Sequence, residues 1–228
     1  MNYAFPSAAV PAASGAAPAT GASRPALRRG RNIVNAIPAV TTSRPSTIVA
    51  PVLDVFRLKG WQAASMADLA EAADVQRGSL YHAYGGKEPL FLLAFGIYAD
   101  RFLAETRKAL DAPDARTALL RFFEVAIANM TIGQPSRGCL TTRTATALDA
   151  AGPEIRGRLA GLIGDLRQLV GEALAAPSMR AALVLGPAET ADLLITFARG
   201  LAVMERIEGD AGRLRAMAQA LTRTLVRS

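Results

Sequence analysis

From about Thr47 to the C-terminus, apolar side chains recur three and four positions apart, the spacing that gathers them on one face of an α-helix. Short Gly or Pro breaks interrupt the pattern, and no stretch shows a convincing two-residue alternation. The pattern predicts an all-α fold with helices near 47–59, 66–73, 77–83, 87–110, 114–131, 139–150, 153–176, 187–208 and 211–226. Pro51 falls inside the first of these, where proline removes a backbone hydrogen bond and crowds the preceding turn. That helix is therefore expected either to begin near Pro51 or to bend there. Residues 1–41, rich in Ala, Pro, Ser, Gly and Thr, carry neither period and read as a disordered tail.

Composition narrows the class. Of the 228 residues, 51% are hydrophobic and 20% charged, a globular balance sufficient for a real core. Lys and Arg number 26 against 19 Asp and Glu, and the excess lies mainly in front: residues 1–110 carry 12 basic and 7 acidic groups, residues 111–228 carry 14 and 12. Nucleic acid, an anionic membrane surface or an acidic partner would each suit such a balance. The basic cluster "RPALRRGR" in the tail is either an arm for phosphate or minor-groove contacts or simply solvated chain. One cysteine and one histidine exclude an internal disulfide framework and an ordinary zinc site, so no metal or cofactor is expected. The longest apolar run, Pro89 to Ala99, stops at Asp100, well short of the roughly 20 residues of a membrane span. A cytoplasmic protein is the expectation.

The segment "GWQAASMADLAEAADVQRGSLYHAYGGKEPL" carries the most specific chemistry. Ser65 can cap a helix while Asp68, three residues on, meets the positive end of its dipole. Met66, Leu69, Ala70 and Ala73 form one stripe, and Asp74 tolerates the left-handed conformation that ends the helix. Val75 returns to the core. A second short helix, Arg77 to Ala83, is anchored by Leu80 and leaves Gln76, Arg77, Ser79, Tyr81 and His82 facing outward. Such a pair has helix-turn-helix spacing, with the second helix sized for the major groove of DNA. Gln and Arg suit adenine and guanine edges; Ser, Tyr and His more often meet phosphates. Gly78 lets the backbone approach closely, and Lys87 is a candidate phosphate clamp at the start of the next helix. Trp61 and Tyr84 read as core or hinge aromatics.

These residues resemble the N-terminal DNA-binding domain of the TetR family of bacterial transcriptional regulators. The resemblance covers 42–102 and rests on Gly60-Trp61, Ser65, Leu69-Ala70, the turn at Asp74-Val75, "GSLYHAY" and "KEPL". Asp74 replaces a usual glycine, Gln76 a usual Ser or Thr, Tyr84 a usual Phe and Pro51 a usual alanine. The resemblance implies that 103–228 is a ligand-binding and dimerisation domain. It also implies a homodimer on a double-stranded palindromic operator, a small-molecule effector and repression as the usual output; no catalytic motif is visible in the sequence, and no enzymatic activity is expected.

Within 103–228, Phe122, Phe123, Ile127 and Met130 are candidates to line an apolar ligand pocket, or else fill the core. Stripes through Leu193, Phe197, Leu201, Met204, Leu214, Met217 and Leu221 resemble the helix pair that builds a four-helix bundle across a twofold axis in this family. Cys139 follows Gly138 at an expected helix start, beside Arg137 and Arg143, and joins the candidate pocket. "GCL" here resembles a subset of the family, some members of which sense oxidants or electrophiles. A small buried hydrophobe is the alternative. Readings from other classes are a cysteine-dependent enzyme and a basic amphipathic protein on a membrane surface.

Overall fold

The structure is a computed structural model that describes residues 45–227; the expected tail over 1–41 lies outside them. The described residues form ten α-helices: α1 Pro45–Ala63, α2 Met66–Ala72, α3 Arg77–Tyr84, α4 Lys87–Leu110, α5 Ala115–Met130, α6 Leu140–Ala145, α7 Pro153–Leu174, α8 Pro177–Ala182, α9 Pro187–Glu208 and α10 Ala211–Leu225. The all-α expectation holds.

The first helix differs from both courses expected of it. It starts at Pro45 and stays helical through Pro51; the non-helical residue inside it is Gly60, with φ 78° and ψ 174°. Pro51 forfeits only a bond to the first turn, whereas the conformation at position 60 is open essentially to glycine alone. The Cβ that any other residue would carry there would lie 3.0 Å from Cδ of Arg143, whose methylenes cover the break. α2 begins as expected. Ser65 Oγ accepts from the Asp68 amide at 3.1 Å, while the Ser65 amide donates to the Asp68 carboxylate at 2.8 Å. A hydrogen bond from Lys59, with those from Ser65, holds the Asp68 carboxyl down to about 2. Asp74 closes α2 at φ 51°, the left-handed turn expected of it.

α4 is the spine. Its helical spacing stacks Phe91, Phe95, Tyr98 and Phe102 along one face. Phe56 and Trp61 of α1 lean on Phe91 with ring centres 4.9 and 5.2 Å away. Such aromatic pairs add about 0.5–1.5 kcal/mol each beyond the area they bury. α4 runs unbroken across position 102, the expected boundary between the two halves. It packs on α1, α5 and α7, α7 packs on α9, and α10 lies on α5 and α9.

Two elements depart from the periodicity. The helix expected over 139–150 ends at Ala145, and a 3-10 turn over Leu148–Ala150 follows. The Thr146 hydroxyl donates to the Arg143 carbonyl at 3.0 Å, a side-chain bond that competes with continuation of the helix. α8 was not expected; Pro177 starts it, and the chain after it pairs with the C-terminal segment. Val184 N–H donates to the Leu225 carbonyl at 2.9 Å and Arg227 N–H to the Ala182 carbonyl at 2.8 Å, so α10 is fastened at its far end.

Candidate nucleic-acid interface

α3 has eight residues, and only Leu80 among them is buried. Leu80 fixes the helix on the core, and one turn of polar groups therefore faces solvent: Gln76, Arg77, Gly78, Ser79, Tyr81 and His82 are all exposed. The structure brings these six together on one surface. The Arg77 guanidinium stands 5.6 Å over the Tyr81 ring, which restrains a long side chain without occupying its donors. Nothing lies within 4 Å of the place a Cβ on Gly78 would take, so the backbone there is open to a close approach. Ser65 is exposed at the start of α2, its hydroxyl engaged in the cap.

Lys87 is placed differently from the free clamp that the sequence suggests. Its ammonium donates to the carbonyls of Trp61 and Ala64 at 3.0 Å each, and to Gln62 at 3.5 Å, while lying 4.5 Å over the Trp61 ring. These carbonyls lie at the C-terminal end of α1, just past the break at Gly60, where helix carbonyls point outward, and the cation donates to them. In this arrangement Lys87 ties α4 to α1.

The candidate pocket residues separate into two places. Phe122, Phe123, Ile127 and Met130 are all buried on α5. Phe123 and Ile127 border a cavity of about 250 Å³ toward Arg215 of α10. Cys139 borders another, of about 300 Å³, between α6 and α9. Cys139 is the N-terminal cap residue of α6, as its place after Gly138 suggests. Burial works to raise its thiol, but the Arg199 charge and hydrogen bonds from the Thr142 backbone and Tyr98 act the other way, and the net result is a lowered value. Arg199 Nη1 approaches Sγ at 3.6 Å and the Tyr98 hydroxyl lies at 3.8 Å. Tyr98 also accepts from Asn129 Nδ2 at 2.9 Å. Burial pushes its own ionisation well above the usual tyrosine range.

Two contacts that the periodicity does not reveal connect this region to α1. Arg57, buried on α1, donates to the carbonyls of Asn129 and Gly138, the latter at 3.2 Å, and burial pulls its pKa below the usual arginine value. Asp54, one turn earlier, pairs with Arg137 at 2.8 Å, so Arg137 serves α1 and not Cys139. An Arg and an Asp three positions apart on a helix otherwise apolar at that face are the only hint in the sequence, because their partners lie about eighty residues away.

Among the described residues no group of three or more His, Cys, Asp or Glu is arranged to hold a metal ion, and no helix is long and apolar enough to cross a membrane.

Comparison with known proteins agrees with this geometry. The family "Bacterial regulatory proteins, tetR family" matches residues 51–94, and "Tetracyclin repressor-like, C-terminal domain" matches residues 115–221. The HTH-type transcriptional repressor ComR of Escherichia coli is 32% identical over 110 residues, a stretch that is 47% of this chain and 52% of ComR, so the match spans about half of that relative. A cysteine mutant of the TetR family regulator CifR, solved with 26-bp operator DNA, superposes with a TM-score of 0.68 at 28% identity, covering 81% of this chain and 97% of that one. Reduced NemR of Escherichia coli shares the fold, with a TM-score of 0.67 at 18% identity over 80% of this chain and 96% of its own. Helix-turn-helix, spine and both family matches fall in register along one sequence, and the chain belongs to the tetR family of bacterial regulatory proteins.

Proposed function

We propose that the chain is a homodimeric, ligand-responsive transcriptional repressor that acts in the cytoplasm on a palindromic operator. The observation that carries this reading is α3, an eight-residue helix anchored by one leucine and presenting Arg77, Ser79, Tyr81 and His82 outward. A helix of that size with polar side chains on its free face fits a major groove. The solved complex of CifR with operator DNA, at 28% identity, supports the same use of the fold. Selection from a pool of random duplexes tests it: an enriched inverted repeat is expected, retained at physiological salt when scrambled duplex is lost. Random duplex held as tightly as any selected site would end the proposal.

The dimer follows from α9 more than from the full stripe that the sequence suggests. Leu201 and Leu214 are buried in their own chain, whereas Leu193, Val203 and Ile207 are exposed on one face of α9, with Gly200 between them. Ile207 is 71% exposed, and an apolar strip of this kind on a long helix suits a twofold neighbour. Ile207→Glu should give a folded monomer by analytical ultracentrifugation. An unchanged dimer would place the interface elsewhere.

A second reading, in which the signal is covalent, is favoured by one observation: Cys139 Sγ lies on a cavity wall with Arg199 beside it to hold a thiolate. An electrophile such as N-ethylmaleimide should then release wild-type protein from DNA and leave Cys139→Ser bound. Equal responses would remove the cysteine from the mechanism.

A further inference from the structure

Three guanidinium groups gather around the α6–α9 cavity, and none of them holds a carboxylate among the described residues. Arg101, Arg137, Arg167, Arg213 and Arg215 each hold a carboxylate at 2.6–2.8 Å. Arg143 and Arg206, which line the cavity, and Arg199, behind its Cys139 wall, hold none among the described residues. The Nε atoms of Arg143 and Arg199 are buried without a hydrogen-bond partner. Arg206 Nη1 comes within 3.3 Å of the place a Cβ on Gly138 would occupy, so its head group lies over the same loop. Glu205, buried on α9 beside Gly138, supplies one negative charge against three positive ones and is ion-paired with none of them. Buried donors left without partners, as these two Nε atoms are, are costly, and guanidinium forks, that of exposed Arg206 included, are well shaped for a planar anion.

On the α9 wall Arg206 stands among Ala202, Val203 and Ile207, the last two also in the strip assigned above to a twofold neighbour, and on the α6 wall Thr142 adds a hydroxyl beside Arg143. A volume of about 300 Å³ is at the small end of ligand sites. A guanidinium from each wall, an apolar stretch of α9 and small size together describe one ligand chemistry. We propose that this cavity binds a small organic carboxylate, its anionic group held by Arg143 and Arg206 and its short apolar body laid against Val203 and Ile207. The carboxylate is then the effector of the repressor proposed above, on which its regulatory role rests. The route from the site to the DNA-binding half is short. The Arg143 methylenes cover the Gly60 break in α1, and Gly138, next to the Cys139 wall, accepts from Arg57 of α1. A ligand that draws the Arg143 head group inward acts directly on the end of α1 that Lys87 ties to α4.

The test uses the full-length protein at constant ionic strength. Benzoate, hexanoate, neutral benzamide and inorganic phosphate are compared by calorimetric titration and thermal shift, on wild type, Arg206→Gln and Arg206→Lys. Benzoate or hexanoate should bind saturably and raise Tm, benzamide should not, and Arg206→Gln should weaken carboxylate binding at least tenfold with fold and dimer intact. Arg206→Lys, which keeps the charge, should recover part of the loss. The proposal is overturned if benzamide binds as well as benzoate, if phosphate alone binds, if Arg206→Gln binds unchanged, or if no anion binds at millimolar concentration. It is overturned as well if benzoate splits the dimer, since a second copy would then be the natural occupant of the cavity. Operator retention, measured alongside, separates the two readings. Carboxylate binding with no effect on operator affinity leaves the site and removes its role as effector. Sequence-specific retention without any carboxylate binding does the reverse.

Discussion

Arg77 and Lys87 carry the same charge, but Arg77 rests over Tyr81 in solvent and Lys87 is enclosed by carbonyls of α1. Their substitutions should therefore fail in different assays. Arg77→Ala is expected to cost about 1–3 kcal/mol of affinity for a selected operator and to relax sequence preference, leaving stability unchanged. Titration against selected and scrambled duplex reads this, and an equal loss on both would assign Arg77 to the backbone. Lys87→Met should lower unfolding free energy in urea by about 1 kcal/mol, because half-buried carbonyls lose their donor. If stability holds and only the salt dependence of DNA binding becomes shallower, Lys87 turns to phosphate in the complex after all. The outward set on α3 was legible from residue type and spacing because a two-turn helix with one anchor has few ways to sit. The work of Lys87 was not, since the carbonyls it donates to come together only at the folded end of α1.

At the scale of elements, the helices set by local periodicity, α4 and α9 above all, match their expected bounds. Where side chains compete with the backbone, as Thr146 does after α6, or where a helix of six residues is followed by a bridge to a distant segment, as at α8, the period carries too little information. The Arg57 and Asp54 contacts were hidden for a related reason: both are long-range polar pairs, and a repeating apolar pattern is silent on them. They make a prediction about the segment from Asn129 to Cys139. Arg57→Met keeps the volume of the side chain and removes its donors, so the carbonyls of Asn129 and Gly138 lose a partner and Tm should fall. The Gly60 break is as specific. Gly60→Ala should destabilise by about 1–3 kcal/mol through backbone strain, with Arg143 displaced as well. A neutral result in thermal denaturation would mean that α1 straightens at no cost.

Across the whole molecule, charge is distributed in a way that the helix-turn-helix alone does not explain. Of the 12 basic groups in residues 1–110, five lie before residue 45, and residues 45–110 carry seven basic and seven acidic side chains. Attraction to DNA over distance therefore belongs to the first 44 residues and to the later half, while α3 provides shape and donors. Deleting residues 1–40 should leave Tm and dimerisation as they are and reduce DNA affinity, more at low salt than at high, with a shallower salt slope. A fall in Tm would show that this segment packs on the fold. The unbroken course of α4 through position 102 has a different bearing, on how such a molecule can be divided. Phe91, Phe95, Tyr98 and Phe102 form one column that starts against Phe56 and Trp61 of α1 and whose Tyr98 meets Cys139 and Asn129. A cut along this column does not free an intact head: a chimera joined within α4 inherits half a stack, and one joined in the loop after Leu110 takes from another parent the carbonyls that Arg57 needs and the guanidinium that Asp54 needs. If α3 reads the operator as proposed, exchange of specificity between relatives is best confined to its exposed face, where residues can be replaced without disturbing the packing of the remainder of the chain.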